Sequence, residues 1–434
     1  MASITKRGNS YRIRVSNGRD SSGNQIIEST TFTPDPAKTA KQNEKALNEF
    51  VLDFERKVKS GRYLDGENLR FKDFAAKWLK EYAEPRLAYS TYENYQMNLE
   101  KRIIPAMGHL KMSGITPLHI QSFYRDLAAA PRNDKKAGSL SAGSIRKIHA
   151  ILSSMFHTAV IWQIIEQNPC DRIEPPKDQR INTGVKCFTL EQAETFLKVL
   201  DGSIKVNYPE RHRKNADGEI YPVAAYETQQ DIPLQIKVFF YMALFGGFRR
   251  GELLALTWKD IDFENGQANI YKSLTLKDHQ MVIKTPKNKT SVRSVALPDV
   301  VMDLIRQLKL QQRTYALSIG SQWVGKWGQE YDDNFLFTQW NGKVMYLDTP
   351  YQWFKKIIAR YNASADPANA LPDIPLHGLR HTSATLLISQ NVDVKTVSGR
   401  LGHSQTSTTM NIYAHSLRKS DEAAAETLQK ALFK

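Results

Sequence analysis

Two polar segments divide this 434-residue chain into three stretches with different side-chain patterns. Residues 61–69 are rich in glycine and charge, and residues 173–187 combine two adjacent prolines with charged side chains. One hydrophobic core rarely spans a chain of this length, so each stretch must bury its own apolar residues. We therefore expect a multidomain protein that is mostly α-helical with small β-sheets. The expected divisions are residues 1–62, 70–175, 185–417 and a terminal helix over 418–434.

The first stretch predicts a small β-sheet backed by one helix. Residues 10–15 alternate polar and apolar side chains, the period of a strand, and a second extended run over residues 25–33 follows a glycine-containing turn. Residues 38–60 repeat apolar side chains along one helical face. Arg12 and Arg14 share one side of the first strand, and a solvated basic surface is one interpretation of them.

The second stretch, residues 70–175, predicts an all-helical domain. Apolar residues within 71–79 share one helical face, and Ser90 is expected to cap the next helix. Residues 104–108 contain a proline and a glycine and are expected to break that helix. Residues 141–162 predict a further long helix.

The third stretch mixes helices with short strands. Thr189-Leu-Glu-Gln192 has the pattern of a capping box at the start of a helix, and residues 234–246 are apolar enough for a buried helix. Residues 260–297 predict one small sheet. Residues 203–231 are polar and are expected to form a long loop or insertion, while residues 319–333 fit no element clearly.

Residues suited to a phosphate substrate lie close together near the end of the third stretch. His377 and Arg380 are three positions apart, so a helix places them on one face. His403 follows Leu401-Gly402 and is expected on a turn, and Tyr413 comes ten residues later. Arginine matches two phosphate oxygens with a planar fork, histidine transfers protons near neutral pH, and a tyrosine hydroxyl can act as a nucleophile. Taken alone, a His-x-x-Arg pair is more often structural.

The charge balance favours a polyanionic partner. The chain carries 60 lysines and arginines against 45 acidic residues, a net charge of +15. Its two cysteines, Cys170 and Cys187, predict neither a zinc site nor a disulfide framework and fit a reducing cytoplasm. The sequence has no apolar run of transmembrane length, no apolar leader at its start and no Walker A pattern. We therefore expect a cytoplasmic protein with no membrane partner, cofactor or metal.

Two upstream motifs complete the set. Residues 246–258 contain the pattern Gly-x-Arg-x-x-Glu, with Arg249 and Glu252, and residues 284–293 contain three lysines, of which Lys287 is preferred. The order Arg, hairpin Lys, His-x-x-Arg, Leu-Gly-His and Tyr resembles the tyrosine recombinases, and among them the integrases of temperate phages and conjugative transposons. The resemblance covers most of the third stretch.

The resemblance implies an enzyme that exchanges DNA strands through a 3′-phosphotyrosyl intermediate, for integration and excision of a mobile element. The implied catalytic residues are Arg249, Lys287, His377, Arg380, His403 and Tyr413, with Glu252 as a buried acid that braces the first arginine. Tyr413 is implied as the nucleophile, and the two arginines hold the non-bridging oxygens. Lys287 protonates the leaving 5′-oxygen, His377 assists proton removal from the tyrosine, and His403 donates a hydrogen bond to the phosphate.

The resemblance also implies the partners. Residues 1–62 correspond to an arm-type DNA-binding domain, and residues 70–175 to a core-binding domain. The implied DNA contacts are Arg12, Arg14, Arg146 and Lys147. The implied assembly is a homotetramer on double-stranded DNA with core-type and arm-type sites, in the bacterial nucleoid, with accessory DNA-bending or excision factors. Residues 418–434 are expected to dock on their own domain or on a neighbouring protomer.

Several alternatives stay open at this point. Lys284 and Lys289 lie near the same turn as Lys287, and the lysine is chosen by alignment with the pattern Lys-x-Lys-x-Ser-x-Arg. His381, beside Arg380, is expected to be structural. The competing functions are a type IB topoisomerase, which nicks and closes DNA without exchange, and a non-catalytic DNA-binding relative that acts as a repressor or scaffold.

Overall fold

The computed structural model describes residues 2–19, 23–59, 69–129, 138–177, 185–215, 218–278, 280–285, 292–403, 405–407, 409, 410, 429, 432 and 433. Contacts divide the chain into two compact units, Met1–Ile181 and Asn182–Lys434. Among the described residues, no helix combines the length and the apolar character needed to cross a membrane. The helix predicted over residues 418–434 lies almost entirely outside the described part of the chain.

A three-stranded antiparallel sheet and one helix open the first unit. The elements are β1 (Ser3–Arg7), β2 (Ser10–Arg19), β3 (Gln25–Phe32) and α1 (Ala40–Lys59), with β2 in the centre of the sheet. Their small core consists of Ile13, Val15, Leu47, Phe54 and Val58. Because side chains alternate along a strand, Arg12 and Arg14 lie on the face of β2 opposite this core. The predicted sheet backed by a helix is confirmed, with β1 as an additional strand.

Helices make up the rest of the first unit, as predicted. They are α2 (Phe71–Trp78), α3 (Glu84–Arg86), α4 (Tyr89–Asn98), α5 (Ile104–Met107), α6 (Pro117–Ala129) and α7 (Ala142–Ile161). Turns of π-helix cover Leu79–Ala83 and Leu99–Ile103, and 3₁₀ turns cover Met112–Gly114 and Pro169–Arg172. The buried Trp78 joins α2 to α7, because its indole N–H donates to Thr158 Oγ1 at 3.0 Å.

Two details of this helical region differ from the predictions. Ser90 does not cap α4, because the extended residue that precedes the helix is Ala88 and Ser90 already lies in the first turn. Pro105 does not break the chain's helical path, because a π-helical turn precedes it and α5 continues to Met107. The helix stops instead at Gly108, where a Cβ would lie 2.5 Å from Ile104 O.

The second unit is built around a buried helix. Its helices are α8 (Leu190–Asp201), α9 (Leu234–Gly246), α10 (Arg250–Ala255), α11 (Asp299–Ile319), α12 (Thr349–Ser364), α13 (Gly378–Ser389) and α14 (Val394–Leu401). The predicted capping box of α8 is confirmed, since Thr189 Oγ1 accepts from Gln192 N and Gln192 Oε1 accepts from Thr189 N. The apolar run predicted as a helix is α9, which contacts α8, α10, α11, α12 and α13.

The prediction of a loop over residues 203–231 is wrong. The segment forms two antiparallel strand pairs, β4 (Ser203–Tyr208) with β7 (Tyr226–Asp231) and β5 (Arg211–Lys214) with β6 (Ile220–Val223). Ile204 and Val206 alternate into the core, and the rings of Tyr208 and Tyr226 stack with their centroids 4.8 Å apart. Most other side chains of these strand pairs are polar and face solvent. The alternation of polar and apolar residues that predicts a strand is therefore weak here.

The sheet predicted over residues 260–297 is two separate sheets. The strands β8 (Ile261–Asp262), β9 (Gln267–Ile270) and β12 (Arg293–Ala296) form one, while β10 (Ser273–Lys277) pairs with β11 (Gln280–Lys284). Tyr271 and Lys272, the two residues between β9 and β10, both bind the buried carboxylate of Asp260. The unassigned residues 319–333 contain 3₁₀ turns over Gly320–Gln322 and Gly328–Asp333.

Candidate active site

Arg249 lies where α9 gives way to α10. Helix α9 ends at Gly246, and Gly247 follows with a left-handed φ of +62°. A Cβ at position 247 would lie 2.7 Å from Leu401 Cδ2, so conformation and packing both favour glycine. Arg249 is the extended N-cap residue of α10, and its backbone N–H donates to Glu252 Oε2 at 2.9 Å. The turn therefore fixes the backbone from which the arginine side chain projects.

Arg249 and Arg380 are both anchored at the end of α14. Arg380, on α13, is only 2% exposed, and it donates to Gly247 O at 2.7 Å and to Leu401 O at 2.6 Å. The Arg249 side chain is 39% exposed, and its Nη2 donates to Gly402 O at 3.2 Å. The two guanidinium groups thus bind consecutive carbonyls, which holds them close together at one helix end.

The same helix end presents His403. Gly402 terminates α14 with a left-handed φ of +68°, and the backbone N–H of His403 donates to Ser398 O at 3.1 Å. The Nδ1 atom of His403 lies 2.8 Å from Thr409 Oγ1, which orients the ring. His403 therefore lies on a turn, as the glycine pattern predicted.

His377 occupies the start of the helix that carries Arg380. It is the N-cap residue of α13, so the two side chains leave neighbouring positions of one helical turn. Both residues border a cavity of about 310 Å³. The His381 ring packs edge to face on the His377 ring, with centroids 4.8 Å apart. His381 thus contacts a predicted catalytic residue through its ring.

Desolvation and positive charge lower the pKa of all three histidines. Desolvation, followed by the charges of Arg380 and Arg249, lowers the pKa of His377 and brings that of His403 to about 4. Desolvation, followed by His377, lowers the pKa of His381 to about 4. The three rings are therefore neutral at pH 7, and the positive charge of the site belongs to its arginines.

Glu252 is buried, and it pairs with a second arginine that the sequence analysis gave no role. Arg293 on β12 donates to Glu252 Oε2 at 2.8 Å and to Oε1 at 3.3 Å. Burial alone would raise the pKa of Glu252, but the hydrogen bond and charge of Arg293, with those of Arg249, lower it below its ordinary value. One signal pointed to Arg293, because it closes the Lys-x-Lys-x-Ser-x-Arg pattern at the start of a predicted strand.

Two predicted catalytic residues, Lys287 and Tyr413, lie outside the described residues. Of the two alternative lysines, Lys289 also lies outside the described residues, and Lys284 ends β11 and pairs with Ser273 across the hairpin. The structure therefore brings together the arginines, the histidines and the buried acid of the predicted set.

The four predicted DNA contacts belong to the first unit. Arg14, Arg146 and Lys147 are exposed, and Arg12 is partly exposed. Arg146 also has a structural contact, since its Nε donates to Pro176 O at 3.0 Å. Arg146 and Lys147 lie on α7, whose N-cap is Ser141, the first residue of the helix predicted over residues 141–162.

The cluster around the end of α14 is suited to an anion with several oxygens. Arg249, whose side chain is 39% exposed, has a planar guanidinium group of the shape that matches phosphate oxygens, and the buried Arg380 adds positive charge at the same helix end. Neutral imidazoles add hydrogen-bonding groups that can also move a proton. The carboxylate in the cluster, Glu252, is already engaged by two arginines, so its charge is balanced within the protein.

Comparisons of the sequence identify relatives along nearly the whole chain. Residues 219–420 match the model of the phage integrase family, and residues 70–128 match that of the phage integrase N-terminal SAM-like domain. A tyrosine recombinase XerC-like protein of Caldanaerobacter subterraneus subsp. tengcongensis is 26% identical over 432 residues, covering 96% of this chain and 95% of the relative. The ICEBs1 integrase of Bacillus subtilis is 28% identical over 341 residues, covering 79% of this chain and 78% of the relative.

Solved structures share the fold. The Tn1549 transposon integrase, in complex with a circular intermediate DNA, has a TM-score of 0.62 at 22% identity, covering 83% of this chain and 100% of that chain. A lambda integrase dimer bound to a core site has a TM-score of 0.52 at 14% identity, covering 94% of both chains. The chain therefore belongs to the phage integrase family of tyrosine recombinases, and it is a DNA strand-transferring, site-specific recombinase.

Proposed function

We propose that this recombinase is the integrase of a mobile element, which it inserts and excises through a covalent link between DNA and Tyr413. The observation that carries the proposal is the anchoring of Arg249 and Arg380 on consecutive carbonyls beside His403. This arrangement concentrates the charge of two arginines at one place, where a single phosphate can bind. Relatives named as integrases of a transposon, a prophage and a phage support the link to mobile elements.

The reaction exchanges one phosphoester bond for another. The Tyr413 oxygen attacks a DNA phosphorus, and the bond to the 5′-oxygen breaks as the bond to tyrosine forms. The products are a 3′-phosphotyrosyl link and a 5′-hydroxyl, and attack by the 5′-hydroxyl of another strand reverses the step. The number of phosphoester bonds is conserved, so no nucleotide cofactor is consumed. Lys287 supplies the proton that the departing 5′-oxygen takes up.

His377 accepts the proton of the Tyr413 hydroxyl. A phenol pKa near 10 leaves tyrosine protonated at neutral pH, so a neighbouring acceptor is needed. The lowered pKa of His377 keeps its ring unprotonated, as an acceptor must be. A bound phosphate offsets the arginine charges that lower this pKa, so DNA binding strengthens the base.

The remaining donors stabilise the transition state. Arg249 and Arg380 hold the non-bridging oxygens, where negative charge is concentrated during phosphoryl transfer. His403 Nδ1 lies 2.8 Å from Thr409 Oγ1. With the Thr409 hydroxyl as the donor, the ring proton of His403 lies on Nε2 and donates to the phosphate. The Glu252 carboxylate holds Arg249 in place by accepting hydrogen bonds from the backbone N–H and the Nη1 of Arg249.

The rest of the chain arranges DNA around this site. Residues 1–62 bind arm-type sites through the β2 face that carries Arg12 and Arg14, while residues 70–175 bind core-type sites with Arg146 and Lys147. Residues 185–417 form the catalytic domain. Four protomers join two duplexes, and residues 418–434 dock in cis or in trans. The assembly works in the bacterial cytoplasm on the nucleoid, with accessory DNA-bending or excision factors.

A suicide substrate tests the proposal. The full-length protein is incubated with a duplex nicked near the cleavage point, so that the cut strand diffuses away and the covalent adduct accumulates. Tyr413→Phe should abolish the adduct seen on denaturing gels while leaving the mobility shift intact. Tyr315→Phe, at an exposed tyrosine of α11, is the matched control and should keep the adduct. An adduct that persists in Tyr413→Phe would contradict the proposal.

A second duplex distinguishes strand exchange from simple nicking and closing. An integrase should join a strand of the labelled duplex to a strand of the added one. Religation of the original strand alone would support the topoisomerase alternative, and DNA binding with no adduct in the wild-type protein would support the non-catalytic one.

A further inference from the structure

We infer that Arg293 is a positioning residue of the recombinase, which holds Arg249 and the His403 turn in one arrangement. The inference rests on the proposed function, because it concerns the same reaction. The side chain of Arg293 is 7% exposed, and it donates hydrogen bonds to the Glu252 carboxylate and to Arg400 O, so we assign it a role that acts through these residues.

The first connection runs to Arg249. Arg293 reaches both oxygens of Glu252, and the same two oxygens accept the backbone N–H and the Nη1 of Arg249. The carboxylate is thus shared between one arginine that faces the site and one that faces the core. Replacing Arg293 removes the hydrogen bonds that orient Glu252 from the buried side. The orientation of Arg249, which Glu252 binds, is then less restricted.

The second connection runs to the end of α14. Arg293 Nε donates to Arg400 O at 2.7 Å, and Arg400 Nη2 donates back to Ala296 O at 2.9 Å. A Cβ at Gly402 would lie 2.9 Å from Arg293 Nη1, so this glycine allows the guanidinium to lie directly against the turn. Gly402 O accepts a hydrogen bond from Arg249, and His403 is the next residue in the chain. Arg293 therefore holds the helix end on which the positions of Arg249 and His403 both depend.

Suicide-substrate cleavage by Arg293→Gln and Arg293→Lys tests this inference. Displacing a catalytic group by about 1 Å costs on the order of 10²-fold in rate, so Arg293→Gln should cleave about 10²-fold more slowly while binding DNA normally. Arg293→Lys keeps the charge and should recover part of the rate. Arg306→Gln, which breaks an exposed pair with Asp303 on α11, is the matched control and should cleave like the wild type.

A pH profile separates positioning from a purely structural role. Three side chains that carry charge or titrate face Glu252. They are Arg249 at the start of the same helix, Arg293 on β12, and the more distant His377 at the start of α13. Arg293→Gln removes its strongest favourable partner but leaves it buried, so its pKa should rise and the acid limb of the cleavage profile should move to higher pH. Arg293→Lys should keep the limb near its original pH. If the ion pair between Arg293 and Glu252 were needed only for folding, Arg293→Gln would lower the fraction of folded protein. The pH profile of cleavage by the folded protein would then stay unchanged.

The effect should also depend on Arg249. In an Arg249→Ala background, Arg293→Gln should slow cleavage much less than about 10²-fold, because residues that act as a unit are not additive. Two results would overturn the inference. One is a slowing of about 10²-fold by Arg293→Gln in the Arg249→Ala protein as well, and the other is cleavage at the wild-type rate by folded Arg293→Gln. Should Arg293→Gln not fold, the smaller loss expected for Arg293→Lys, measured with and without Arg249→Ala, carries the same test. Loss of the wild-type adduct would instead refute the proposed function.

Discussion

Replacing Arg380 by alanine should reduce both stability and cleavage, whereas replacing Arg249 should reduce cleavage alone. Arg380 is buried and saturates the carbonyls of Gly247 and Leu401 at 2.7 and 2.6 Å. Arg249 is more than a third exposed, and Glu252 keeps both hydrogen bonds from Arg293 when Arg249 is removed. The two arginines have the same proposed role toward the phosphate but different roles in the fold.

The magnitudes follow from these contacts. Each buried carbonyl left without a donor costs about 1–3 kcal/mol, so Arg380→Ala should lower the free energy of unfolding of its unit by about 2–6 kcal/mol. Arg249→Ala should lower the free energy of unfolding by about 0–1 kcal/mol, because the Arg249 side chain is more exposed. Each substitution should slow cleavage by about 10²–10³-fold, because each removes a donor aimed at charge that develops in the transition state.

Two measurements on the full-length protein check this prediction. Urea unfolding followed by intrinsic fluorescence gives the change in midpoint, and single-turnover cleavage of a suicide duplex gives the rate, with binding measured separately by mobility shift. Equal losses in binding and cleavage would show that the arginines only anchor DNA. Equal stability of the two variants would refute the structural role assigned to Arg380.

Four further expectations follow from the same account. Cleavage should persist in EDTA, because arginines and histidines supply the charge and proton transfer; loss in EDTA with recovery in magnesium at constant ionic strength would contradict this. A fragment of residues 1–62 should bind duplex DNA with an affinity that falls steeply with salt, and its deletion should impair recombination of full attachment DNA. Deleting residues 418–434 should change cooperative assembly and cleavage while single-site binding survives, as mobility shifts on one and two sites would show. Because the folded pKa values of His403 and His381 are about 4, stability should be full above pH 6.5 and fall as the pH drops toward 4, measured by thermal unfolding at each pH.

The residues that the sequence analysis proposed as catalytic lie close together in the structure, as far as they are described. Arg249, His377, Arg380 and His403 were identified from short local patterns, because glycine turns and a single helix determine their placement. Local signals also predicted α9 from its apolar run and α8 from its capping box.

Long-range contacts explain most of what the sequence did not predict. The role of Arg293 depends on partners 41 and 107 positions away, and no local pattern specifies such pairs. The strands over residues 203–231 were missed because only Ile204, Val206 and a few other side chains alternate into the core. The break expected within residues 104–108 lies at Gly108 and not at Pro105, because a π-helical turn, which depends on tertiary packing, accommodates the proline.

The most direct test of the central claim is to identify the residue that becomes linked to DNA. The wild-type protein is trapped on a suicide duplex, digested with trypsin and nuclease, and the modified peptide is sequenced by mass spectrometry. The account predicts a nucleotide attached through its 3′-phosphate to Tyr413, with no such adduct on the other tyrosines. Attachment to a different residue, or through a 5′-phosphate, would contradict it.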